Sequence, residues 1–180
     1  MKRSQTRKLI TLSMLVAAGI LMQLIEAFFP VVMIVPGYKI GLANIAGLYA
    51  LYAFGIREMI TVTLLRVVLA GIASGSIFSI GFMLSLCGST LAVLAMAIAY
   101  KAGIFSIYGV STAGAGAHSL GQVLGVIVIY QQYFMQLFLP VLLALSIVSG
   151  LCIALLTLQL LRRLDKPGYK RALNKEECCQ

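Results

Sequence analysis

The stretch FLPVLLALSIVSGLCIALLTLQLL, Phe138 to Leu161, carries no charged side chain. As a helix rising ~1.5 Å per residue it reaches across the ~30 Å hydrocarbon core of a bilayer. In lipid, only bonding within the segment satisfies the backbone of so long a run. Five more apolar runs precede it: Leu9–Phe29, Ile40–Phe54, Met59–Ala73, Ile77–Tyr100 and Val110–Tyr130. The second and third are short, and the third contains Arg66. The 180 residues are 61% hydrophobic and 11% charged, with mean hydropathy +1.03. A soluble domain has about 45–50% apolar and about 25% charged residues. A soluble enzyme, a disordered chain and a nucleic-acid-binding domain are therefore excluded.

The reading is one all-α integral membrane domain, a bundle of six transmembrane helices. Short connections join the runs: 30–39 with two prolines, Gly55-Ile56-Arg57, Ser74-Gly75-Ser76, Lys101–Gly109 and Gln131–Gln136. The first run ends in Phe28-Phe29-Pro30 rather than a small-x-small cleavage pattern, so it reads as a retained helix. The net charge of +9 is placed asymmetrically. With the amino terminus inside, every one of the 14 Lys and Arg except Lys39 and Arg66 falls on the inner side. This predicts a multi-pass cell-membrane protein with both termini cytoplasmic. Residues 162–180 form a basic cytoplasmic tail, with Pro167-Gly168 marking the stop of the last helix. Cys87 and Cys152 lie in apolar runs and Cys178-Cys179 in the tail, which is no disulfide framework.

Small residues recur at helical spacing: Ala113, Ala117, Gly121 and Gly125; Gly81, Ser85 and Ser89; Ser146, Gly150 and Ala154. Such stripes let helices approach closely in lipid. They read as internal packing, with docking of a partner membrane protein as the alternative. The Gly114–Ser119 segment lacks the third glycine and the preceding strand of a dinucleotide fingerprint. No zinc spacing, P-loop or hydrolase elbow is present. Asp165 is the only aspartate, which argues against magnesium-diphosphate chemistry and against an enzyme. No cofactor or metal is expected.

Polar side chains inside apolar runs are expensive and point to function or pairing. Arg66 shares a weakly polar face with Thr63, Ala70 and Ala73. Gly19, Gln23 and Glu26 share another, and Gln122 lies one turn beyond His118. Arg66 and His118 fall ~12 Å from the inner ends of their runs. Gln23, Glu26, Asn44 and Gln122 fall further out. The expectation is a pocket in the outer half of the bundle, lined also by Lys39 and Tyr38, for a small amphipathic or anionic solute. Arg66 either meets that ligand or serves as a structural cation bonded to Glu26 or to backbone carbonyls.

The stretch Pro36-Gly-Tyr-Lys-Ile-Gly-Leu-Ala-Asn-Ile45 closely resembles the PGxKLGLANI hallmark of the Gx transporter family, also labelled heptaprenyl diphosphate synthase component I. Position 40 is Ile where the hallmark has Leu. Further matches follow in order: Leu51-Tyr52-x-Phe54-Gly55, Leu65-Arg66-x3-Ala70-Gly71, Ser85-Leu86-x-Gly88 and Gly114-Ala115-x-Ala117-His118-x2-Gly121-Gln122. The resemblance covers about residues 9–161. The family is similar to the S components of energy-coupling-factor transporters, six-helix proteins that capture micronutrients and work with a transmembrane coupling subunit and ATPases. The resemblance carries over Pro36, Gly37, Lys39, Gly41, Asn44, Arg66, His118 and Gln122. It implies a substrate-capture component, with 30–39 as a lid. The alternative is a non-catalytic membrane subunit beside a prenyl-diphosphate synthase or a flavin- and quinone-linked protein.

Overall fold

A computed structural model describes residues 2–28, 41–75, 77, 79–131 and 133–177. Seven α-helices follow in order: α1 (Lys2–Phe28), α2 (Asn44–Ala53), α3 (Ile56–Ala73), α4 (Ile80–Ala102), α5 (Ile107–Tyr130), α6 (Leu139–Leu164) and α7 (Lys166–Glu177). A 3-10 turn, Tyr133–Phe138, leads into α6. Among the described residues there is no strand. The loop 30–39, with Tyr38 and Lys39, lies outside the described residues.

Local chemistry sets the helix ends. The Ser79 and Ser106 side chains accept the backbone N–H of Phe82 and Gly109 at the starts of α4 and α5. Gly103, at φ +75°, ends α4 in the left-handed conformation. Gly55, at φ +122°, turns α2 back into α3, where a side chain would be strained.

Among the described residues, four helical segments are long and apolar enough to cross a membrane: Gln5–Glu26, Ile80–Ala102, Ile107–Ile129 and Gln136–Leu164. Their outward faces are apolar, as at Met14, Ile98, Val128 and Ile147. The other two runs depart from that pattern. Helix α2 has 10 residues, only ~15 Å, so it covers about half a hydrocarbon layer. Helix α3 has 18 residues but carries Arg57, Glu58 and Arg66.

Helix α2 is the centre of the molecule. It packs against α1, α3, α6 and α7, and Leu48, Ala50, Leu51 and Tyr52 have no exposed surface. The Tyr52 ring meets Tyr100 of α4 edge-on, centroids 5.3 Å apart. Beyond this core, α4 packs on α5 and α5 on α6, while α1 rests mainly on α3 and α2.

One end of the bundle gathers the charge. Lys8 of α1 bonds Glu58 of α3, and its ammonium sits 5.8 Å from the Phe54 ring centroid. Lys101 ends α4, and Arg162 and Arg163 end α6, where helix dipoles favour cations. Helix α7 folds back on the same end. Arg171 Nη1 donates to the carbonyl oxygens of Tyr52 and Ala53 at 3.1 and 3.2 Å, and Ala172 is fully buried. The basic tail therefore begins as a docked helix. The proline read as a stop sits in its first turn, where a missing N–H costs nothing.

Candidate functional site

The site starts from the shortness of α2. Because α2 covers half the height, its first turn opens inside the bundle, and its leading N–H groups need partners there. Asn44 N–H donates to Gly41 O and Ile45 N–H to Leu42 O, at 2.8 and 3.1 Å. Leu42 N–H donates to Glu26 Oε1, from the end of α1. Gly41, at φ +78°, makes the bend that delivers the chain to this point.

Arg66 comes to the same place from α3. It is 2% exposed, and its Nη2 donates to Asn44 Oδ1 at 3.3 Å. Its stem passes over Gly19 of α1, where a Cβ would lie 2.7 Å from Arg66 Cδ. Glu26 is the carboxylate whose charge acts on it. Asn44 and Arg66 each lie ~14–15 Å along their helices from the α2–α3 turn, and His118 lies ~16 Å into α5. Glu26 lies two residues from the end of α1, so the cluster runs from the middle of the bundle toward that end.

A small polar cavity of about 20 Å³ sits at this junction. Its lining joins Gln23 and Glu26, Gly41 and Asn44, Arg66, His118, and Ser85 with Ser89 of α4. That is room for about one water molecule. The expected residues Gln23, Glu26, Asn44, Arg66 and His118 therefore come together. Gln122 does not line the cavity. It is buried behind His118, and both pack on Gly88, where an added Cβ would lie 2.9 Å from His118 Cε1 and 3.0 Å from Gln122 Cγ. Tyr38 and Lys39 are outside the described residues. Ala73, placed by spacing on the Arg66 face, is exposed one turn beyond the buried Ala70.

Sequence reasoning missed Ser85 and Ser89 as lining residues. They are i, i+4 on one face, a signal shared with plain helix packing. The other small stripes are indeed packing surfaces. Ser119 and Ser146 share a hydrogen bond at 2.5 Å, and Ser111 Oγ donates to Gly150 O at 2.6 Å.

The donor balance is uneven. A guanidinium carries five N–H donors and no acceptor. Arg66 Nε and Nη1 are buried without a hydrogen-bond partner, and so is Gln122 Nε2. Two unpartnered donors on a buried cation are costly, offset in part by the charge of Glu26. The arrangement can hold an anion or a carbonyl-rich group.

Apolar outward faces, four membrane-length helices and one buried polar junction define a helical membrane protein. Residues 15–160 match the family described as heptaprenyl diphosphate synthase component I. The match covers most of the chain, and the protein belongs to that family. No curated protein and no solved structure matches it.

Proposed function

We propose that this protein is the solute-binding component of a membrane importer, taking a small organic anion at Arg66. The observation that carries the reading is the buried guanidinium with two unpartnered nitrogens, facing a cavity at the start of a half-height helix. A half-helix N-terminus inside a membrane, with its positive dipole end, is where transporters hold anionic groups. In this reading Arg66 pairs the anion, Asn44, His118 and the Ser85–Ser89 face hydrogen-bond it, and Gln122 braces His118. Lys39 and Tyr38, just before α2, complete the site, and 30–39 closes over it. The 20 Å³ cavity widens by displacement of α1, which carries Gln23 and Glu26 and has most of its surface turned outward. The chain passes the membrane six times with its basic end in the cytoplasm. Energy comes from a coupling subunit and ATPases, in the manner of an S component.

The family description favours a second reading, a non-catalytic membrane subunit beside a cytoplasmic prenyl synthase or flavoprotein, docked through the basic end. One experiment separates the two. The protein is extracted gently from its own membrane, and both co-purifying subunits and small molecules released on denaturation are identified by mass spectrometry. An anionic small molecule retained by the native chain, and reduced at least about tenfold by Arg66→Gln at unchanged melting temperature, supports solute capture. A co-purifying synthase or flavoprotein, with nothing released that depends on Arg66, overturns it in favour of the second reading.

A further inference from the structure

A second cavity, of about 470 Å³, lies between α1, α2 and α6, within the size range of small-molecule sites. It is separate from the polar junction: Gly19 stands between it and the Arg66 stem. The wall on α1 is Leu15, Ala18, Gly19 and Met22, and the wall on α6 is Leu156, Gln159, Leu160 and Arg163. Each set follows i, i+3, i+4, i+7, so each is one helix face. Elsewhere in this bundle such faces close on each other, as α5 does on α6 at Ser119–Ser146. Here they stand apart. The floor explains why: Ala18, Gly19, Ala43 and Ala46 are small, and no described side chain fills the space above them.

The chemistry of the hollow is lopsided. Among the described residues its lining is almost wholly apolar, and the one charged side chain is Arg163, in the last turn of α6 at the basic end. An apolar hollow facing lipid gains dispersion contacts only when a hydrocarbon chain enters it. A guanidinium at one end adds a preference for an anionic head. We propose that this hollow is a binding site for one amphiphile, with its hydrocarbon chain against α1 and α6 and its anionic head at Arg163. Neither the solute site nor its residues are needed for this binding.

The test is native mass spectrometry of the intact protein in detergent, titrated separately with dioleoylphosphatidylglycerol, oleyl phosphate and dioleoylphosphatidylcholine. One copy of an anionic amphiphile is expected at about fivefold lower concentration than the phosphatidylcholine. Ala18→Phe fills the hollow and removes that copy. Arg163→Gln leaves one copy but equalises the phosphatidylglycerol and the phosphatidylcholine. Leu160→Trp, on the opposite wall, replaces Ala18→Phe if that variant does not fold. Tighter phosphatidylglycerol identifies the occupant as a diacyl phospholipid, and tighter oleyl phosphate as a single-chain amphiphile; both support the site. Equal uptake of all three by the native protein overturns it, as does uptake unchanged in a folded variant with the hollow filled. Asn44, Arg66 and His118 are untouched by these changes, so any small molecule lost with Arg66→Gln is retained, and the two proposals fail separately.

Discussion

Helices α5 and α1 are both long and apolar, yet they are held in opposite ways. Half of the apolar window of α5 is buried, 50%, against 17% for α1. Helix α5 meets α4 backbone to backbone. A Cβ at Gly121 would lie 2.7 Å from the Cys87 carbonyl oxygen and 2.9 Å from Gly88 Cα. On its other side Gly150 of α6 sits as closely on Thr112. Helix α1 has no such seam. It is held through side chains: Leu15 and Val16 in the core, Lys8 at one end, the Arg66 stem at Gly19 and Glu26 at the other. The helices α4 to α6 thus form a closely packed seam, and α1 lies against the rest of the bundle with less of its surface buried. The polar cavity lies where the two meet.

Gly121→Ala is the largest test of this contrast. Backbone cannot yield as a side-chain tip does, so the loss is expected to be about 2 kcal/mol, read as a fall in melting temperature in detergent. Ala17→Leu on the outward side of α1 should stay within about 0.5 kcal/mol in the same assay. Equal losses would break the contrast. Arg171→Gln comes next. It removes a charged donor from the last carbonyls of α2 at the surface, expected to cost about 1 kcal/mol and to speed amide exchange in α7 while leaving α5 unchanged. The smallest effect is at the start of α1. Glu58, at the basic end before the apolar run 59–73, has its carboxyl held below the usual range, first by the hydrogen bond from Lys8. A lowered carboxylate value adds stability above the unfolded value, about pH 4.3, and loses it as pH falls through the folded one. The melting-temperature gap between the native protein and Glu58→Gln should therefore be present at neutral pH and close below about pH 4. Both groups are partly in solvent, so it amounts to under about 1 kcal/mol.

The helical runs were legible because lipid-length apolar segments admit one backbone solution. The boundaries of α4, α5 and α6 fall within a few residues of the expected runs. Helix α7 was not legible. Its residues are mostly polar, and its docking depends on two carbonyls of α2 and one buried alanine, all distant in sequence. At the site, Arg66, Asn44 and His118 announced themselves by their cost in an apolar run. Ser85 and Ser89 did not, because a hydroxyl bonded back along its own helix, as Ser85 is to Gly81 O, has little cost to show. The start of α2 was hidden too. Apolar residues before Asn44 extend the run without extending the helix.

The half-height α2 also has a consequence for how the chain is made. An arginine at the centre of a helix costs about 2.5–3.5 kcal/mol on partitioning from the translocon, and α3 carries Arg66 at that position. Helix α2 is too short to be retained in the bilayer on its own. Neither helix is a self-sufficient insertion signal. On the six-pass reading proposed above, the two would leave the translocon as a hairpin joined at Gly55, with Asn44 placed to meet the guanidinium. On that reading, the bond between Arg66 and Asn44 would be among the first tertiary contacts of the chain's biogenesis.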